Sequence, residues 1–206
     1  MFYNVLFYKY IIIIKINTAI HIFFIFLFSI ICLKVFKELY YDYNIMSKPI
    51  TAIAVFNGPT IKGTVKFTEE QDTGQVEIDV NLVGLKKSAL HGFHVHESGD
   101  LTDKCESMCA HFNPYGKQHG CPGKKERHVG DLGNLKTDAK GNAQYSFYDD
   151  VIRLRGTKAN ILGRGLIIHA DPDDCGSGGY PDSLTTGHAG KRIACAIIGY
   201  SKDNFK

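Results

Sequence analysis

The chain has 206 residues, of which 22% are charged, and a formal net charge of +3. Lys and Arg are dispersed and mostly offset by Asp and Glu, so no basic stripe with interleaved aromatics marks a nucleic-acid surface. From about residue 46 onward the composition is that of an ordinary soluble domain, and the remaining ~160 residues suffice for one hydrophobic core.

Residues 1–46 are unlike the rest, being mostly Phe, Tyr, Ile, Asn, Lys and Leu. An apolar stretch from Ile16 to Leu33, between Lys15 and Lys34, is long enough for a marginal membrane span. No small-x-small site follows it, which disfavours a cleaved signal peptide. Roughly three quarters of residues 1–45 are types encoded by codons of A and T alone. The favoured reading takes this leader as translated upstream DNA, with Met46-Ser47-Lys48-Pro49 as the true start, and a signal anchor as the alternative. The expected division is therefore a leader over 1–46 and a folded domain over 47–206. On the favoured reading the protein is cytoplasmic; a genuine leader would make it membrane-anchored or secreted.

Along the domain, Thr51–Phe56, Thr64–Phe67 and Gln75–Leu82 alternate polar and apolar residues with the period of half-buried strands. Asn57-Gly58-Pro59 and Asp72-Thr73-Gly74 supply turns between them. Later candidates are Gly92–His96, Ala143–Tyr148, Gly165–His169 and Ala194–Tyr200, and no stretch of the domain shows sustained helical periodicity. Short strands with Gly-rich turns predict an all-β antiparallel sandwich or barrel. Residues 97–134 and 170–192 are long, polar and rich in Gly, Pro and Asp, and are expected to be functional loops.

All nine histidines except His21 follow position 90, and most sit at ligand-like spacings. His94 and His96, two apart on a strand, place both rings on one face. His111 and His119 bracket a loop, and His128-Val129-Gly130-Asp131 follows. Three imidazoles and a carboxylate suit structural zinc, whereas four imidazoles without a thiolate suit copper(II). His169 ends the apolar run Leu166-Ile167-Ile168, where a strand delivers a side chain to a loop. Six histidines for seven nitrogen positions require one imidazole to serve both metals, and His111 is the natural candidate.

Gly92–His96, His111-Phe112-Asn113-Pro114, Arg127–Asn134 and Gly187-x-Ala-Gly-x-Arg192 closely resemble the copper/zinc superoxide dismutases, over about Ile53 to Gly199. The resemblance implies a Greek-key β-sandwich or flattened barrel with a metal-binding loop and an electrostatic loop, an architecture this family exemplifies. It implies one copper per subunit on His94, His96, His111 and His169, and one zinc per subunit on His111, His119, His128 and Asp131. Asp173 matches the carboxylate that ties a ligand of each metal together, and Arg192 the arginine that orients superoxide. In the implied cycle His111 bridges the metals and takes up a proton. His91 and His188 match no ligand and are expected to hydrogen-bond to backbone.

The resemblance also implies a Cys105–Cys195 disulfide. Cys109 and Cys121 depart from the family pattern, each two residues from a zinc-ligand position; either they pair with each other or, the favoured reading, they are free thiols. Cys32 and Cys175 suggest no partner. A homodimer is implied, with Ile53, Val55, Gly99, Leu162, Gly163 and Ile197 near the contact. Family members strictly dependent on a copper chaperone tend to carry proline near the last cysteine, and here its neighbours are Ile193, Ala194 and Ala196, so the chaperone is expected to be dispensable. Thr185 and Asp171 stand where lysine is common, which predicts weaker long-range attraction of the anion unless Lys191 compensates. A copper-delivery protein or an inactive binding decoy of the same fold are the alternatives; the complete ligand set and Arg192 argue against both.

Overall fold

The computed structural model describes residues 27–40 and 48–205. The chain divides into two compact units, Met1–Lys48 and Pro49–Lys206. In the first unit residues 27–40 are helical; residues 16–26 of the apolar stretch and the start expected at Met46 lie outside the described residues. Among the described residues, no helix is long and apolar enough to cross a membrane.

The second unit holds eight antiparallel strands: β1 Ile50–Asn57, β2 Lys62–Glu69, β3 Val76–Val83, β4 Leu90–His96, β5 Asp131–Lys136, β6 Ala143–Asp149, β7 Gly165–His169 and β8 Arg192–Tyr200. Their order is β5-β4-β7-β8-β1-β2-β3-β6. The β1–β8 seam is short, with Ala52–Ala54 paired to Ile198–Tyr200, so two four-stranded sheets lie back to back and share this edge. At the opposite edge the Tyr145 hydroxyl of β6 accepts from the Lys136 N–H of β5 at 2.9 Å, nearly closing a flattened barrel. The all-β sandwich read from alternation is the observed architecture.

Alternation explains the core. β3 buries Val76, Ile78, Val80 and Leu82 and turns Asp79, Asn81 and Val83 outward. From the facing sheet come Phe93 and Val95, Leu135, Leu166 and Ile168, and Ala196 and Ile198. β7 is different because all five of its residues are buried. Leu166 and Ile168 enter the core, while Gly165, Ile167 and His169 lie beneath loops that cover the sheet's outer face. A Cβ at Gly165 would lie 2.3 Å from Met108 Sδ, which shows how closely that covering loop sits.

One expected loop boundary is corrected. Residues 97–134 were expected to contain no strand, but β5 begins at Asp131. Its pairing to β4 shifts register between Gly92 and His94, and Gly133 takes φ +78°. A bulge and a positive-φ glycine disguise the strand as loop sequence.

Candidate metal centre

Phe93 and Val95 point into the core, so Gly92, His94 and His96 share the outer face of β4. The register sets His94 opposite Ile167 and His96 opposite Gly165, and His169 ends β7 beside them. Gly92 has to be glycine: a Cβ there would lie 2.6 Å from Ala189 Cβ and 3.2 Å from the His94 ring. The covering loop is stitched to β4 by Phe112 N–H to Val95 O at 2.9 Å, Val95 N–H to Gly130 O at 2.8 Å and Gly130 N–H to Phe112 O at 2.9 Å. Those bonds set His111 against His96 and bring His128 and Asp131 in behind it.

The hydrogen bonds fix which imidazole nitrogens carry lone pairs. His96 Nδ1 donates to Cys109 O at 2.9 Å and His169 Nδ1 donates to Gly190 O at 3.1 Å. A carbonyl only accepts, so in both rings Nε2 is left with a lone pair. His94 Nε2 donates to Asp173 Oδ2 at 2.7 Å, which frees Nδ1 instead. His94 Nδ1, His96 Nε2, His111 Nε2 and His169 Nε2 are all buried and without a hydrogen-bond partner among the described residues. Ligand atoms of these four rings lie within 4.8 Å of one another. Four buried, unpaired nitrogens in one place are costly unless a cation fills the gap, and an all-imidazole set suits copper(II).

On the other side of His111, three nitrogens meet one carboxylate oxygen. Asp131 Oδ1 is 2.9 Å from His111 Nδ1, 3.0 Å from His119 Nδ1 and 3.1 Å from His128 Nδ1. The His119 contact lacks hydrogen-bond geometry despite its distance. Asp131 Oδ2 accepts from the N–H groups of His128 at 2.8 Å and Gly120 at 3.0 Å, which aims Oδ1 at the rings. Bonds to a tetrahedral zinc would set ligand atoms ~3.3–3.5 Å apart, a slight expansion of this cluster. His111 belongs to both groups, through Nε2 on one side and Nδ1 on the other.

Asp173 joins the two groups, accepting from His94 Nε2 through Oδ2 and from His119 Nε2 through Oδ1 at 2.8 Å. Gly187 passes so close that a Cβ would sit 2.2 Å from Asp173 Oδ1 and 2.4 Å from His119 Nε2, and its φ is +65°. Two disulfides hold the covering loops. Cys105 and Cys195 are bonded, as the resemblance implied. The second disulfide corrects the sequence reading, because Cys121 pairs with Cys175 and Cys109 is an exposed free thiol. Cys121 lies two residues beyond His119, and Cys175 two beyond Asp173. The His119–Asp173 hydrogen bond therefore brings Cys121 and Cys175 together, whereas the Cys109 backbone carbonyl is held by His96 and Arg192.

Arg192 lines a cavity of about 520 Å³ together with His96, His111 and His169. Its guanidinium is fixed by Cys105 O at 2.7 Å and Cys109 O at 2.6 Å. Thr185, Asp182 and Lys191 line the same cavity. His91 is a buried histidine that donates through Nδ1 to His169 O at 2.8 Å. His188 departs from expectation: it meets the Asp182 carboxylate at 2.7 Å and stacks on Tyr180, rather than bonding to backbone.

Electrostatics separates the two groups. Burial and the neighbouring His111 press His94 down to about 3 and His96 to about 2, and burial presses His169 to about 4. His119 goes the other way. Burial would lower it, but the Asp131 carboxylate against its Nδ1 and the hydrogen bond to Asp173 prevail and raise it to about 9. Burial would raise Asp131, but its three imidazole contacts hold it well below the usual carboxylate range. At pH 7 the metal-free protein therefore carries His119 as the imidazolium and His94, His96 and His169 as neutral imidazoles. Zinc is expected to expel about one proton on binding, and copper none from those three rings. Titration calorimetry of zinc binding in buffers of different protonation enthalpy checks this; zinc binding without net proton release would refute it.

Residues 61–198 match the family model for copper/zinc superoxide dismutase. A superoxide dismutase [Cu-Zn] of Paramecium bursaria Chlorella virus 1 is 60% identical over 160 residues, covering 78% of this chain and 83% of its own. That of Candida albicans is 48% identical, over 74% of this chain and 99% of its own. The crystal structure of the clock protein EA4 superposes with a TM-score of 0.71 at 44% identity, over 74% of this chain and 96% of its own. With the strand order, the two histidine groups and these matches in hand, the chain belongs to the copper/zinc superoxide dismutase family.

Proposed function

We propose that this chain dismutates superoxide to dioxygen and hydrogen peroxide, with residues 47–206 as the dismutase domain. His94, His96, His111 and His169 would hold copper, and His111, His119, His128 and Asp131 zinc, one of each per subunit. The observation that carries this reading is the set of four buried, lone-pair-bearing nitrogens beside the Arg192 cavity. Copper supplies reversible one-electron chemistry when bound, and zinc supplies fixed charge. Arg192 holds the small anion against the site, its guanidinium pre-oriented by three carbonyls so that it needs no reorganisation. His111 Nε2 can hold a proton for the product while Nδ1 stays engaged beside Asp131. The test is superoxide removal by protein loaded with both metals; loaded protein without activity overturns the reading.

Lys191 is the lysine of this cavity, and Asp182 at its rim is paired with His188. Lys191 is therefore expected to carry the steering of the anion, a role for which this family is the standard example, so only the sign is predicted. Lys191→Glu should lower kcat/KM and flatten its decline with ionic strength; an unchanged salt profile would count against it.

A homodimer fits an apolar patch in which Ile53 pairs with Gly199, Gly163 N–H bonds to Ile198 O, and a Cβ on Gly99 would touch Gly163 and Ile197. Val55 is 57% exposed and Ile197 41%, which is unusual for apolar side chains in so dense a patch. Sedimentation at micromolar concentration should give twice the chain mass, and Val55→Glu should shift it to monomer. Formation of the Cys105–Cys195 bond without a copper chaperone is proposed on the same residues that suggested it.

A further inference from the structure

A second cavity, of about 280 Å³, shares no residue with either histidine group and lies between the covering loop and the segment that follows β6. Lys117, Lys124, Lys125 and Arg127 line it, with Asp150 as the carboxylate among its lining residues. Arg127 is only 3% exposed, and its Nη2 pairs with the Asp149 carboxylate. Its Nε and Nη1 are buried and have no hydrogen-bond partner among the described residues. The other Asp149 oxygen is engaged elsewhere, accepting the N–H groups of Val151 at 2.8 Å and Ile152 at 2.9 Å.

The lysines leave the charge in place. Lys117 Nζ donates to Lys125 O at 2.5 Å, and Lys124 Nζ to Cys175 O at 2.8 Å and Ser177 Oγ at 3.1 Å. Carbonyl and hydroxyl partners hold the ammonium groups in position but do not neutralise them. The Lys125 ammonium has no partner among the described residues. Buried guanidinium donors are ordinarily satisfied, and clustered cations ordinarily have a counter-ion. Unpaired guanidinium donors with several ammonium groups around them suit an oxyanion that offers many acceptors, above all a phosphate group.

We propose that this cavity is a phosphate-binding site, independent of the metal centre. The probe is inorganic phosphate, titrated at low ionic strength into copper- and zinc-loaded full-length protein and followed by calorimetry. Saturable binding in the millimolar range or tighter is expected. The double variant Lys117→Gln/Lys125→Gln should weaken binding roughly tenfold or more, with dismutase activity unchanged. Arg127→Lys, which keeps the charge but loses the unpaired guanidinium donors, should weaken it as well. AMP is the second arm: much tighter binding than free phosphate, lost in the same double variant, identifies a phosphate ester as the natural source. Absence of saturable binding, or binding unaltered in the double variant because the anion sits instead beside Arg192, overturns the proposal.

Discussion

Alanine in place of His94 or His169 is expected to abolish dismutase activity and copper binding, with the loss at least about a thousandfold. Each substitution removes one of four nitrogens that converge on a single gap, and three imidazoles hold copper less well and in another geometry. The two variants should differ in zinc. His169 donates to the Gly190 carbonyl and meets the second group only through His111, which both groups share, so His169→Ala should leave zinc near one per chain. His94 donates to Asp173 Oδ2, while Asp173 Oδ1 orients His119. His94→Ala leaves that buried carboxylate short of a donor and should hasten zinc loss to a chelator, although most zinc remains at equilibrium. Metal content by elemental analysis with parallel superoxide assays reads both effects. Copper retained at full occupancy in either variant would sink the assignment of the ligands.

Acid should unfold the metal-free protein through the same residues. His94, His96 and His169 titrate at about 3, 2 and 4 when folded, all below their ordinary value of 6.5. The unfolded chain therefore takes up protons first, and stability falls as pH drops below about 6.5. His119 acts in the opposite sense, since its raised value favours the folded state at neutral and acid pH and loses that contribution as pH rises through about 9.

Much of this was legible because strands and ligands follow local rules. Period-two alternation marks β1, β2 and β3 whatever the tertiary structure does, and two histidines two apart on β4 must share a face. The elements that were missed depend on distant partners. β5 pairs with β4 only through a bulge of its own, at Leu132–Gly133 opposite Phe93. Cys121 and Cys175 are 54 residues apart, and it is the Asp173–His119 contact, invisible in the local sequence, that makes them neighbours. The partnership of His188 with Asp182 is of the same kind, set by the turn through Gly187 rather than by spacing. The unpaired Arg127 nitrogens needed coordinates, since in sequence Arg127 is only the residue before His128.

Cys105→Ser is expected to reduce both stability and catalysis, whereas Cys121→Ser should reduce stability alone. The Cys105–Cys195 bond closes a loop of sequence separation 90, and the Cys121–Cys175 bond one of 54. On the chain-entropy account both restrict the unfolded state by similar amounts, about 4–5 kcal/mol at most, and losses of about 2–5 kcal/mol are usual when native disulfides are removed. Their neighbours differ. The Cys105 carbonyl is one of three that hold the Arg192 guanidinium, and Cys195 lies on the same strand as Arg192. Loosening Cys105 therefore frees the cation proposed to orient the substrate, and kcat/KM should fall on the order of tenfold. Cys121 anchors the loop from its other end, remote from those carbonyls, and its partner Cys175 keeps the N–H bond to Asp173 Oδ1 at 2.7 Å. Denaturant melts of the metal-free variants and kcat/KM of the loaded ones separate the two roles. If Cys105→Ser protein retains full activity, the disulfide does not position Arg192, and if it also melts like the parent, the bond is not holding the fold.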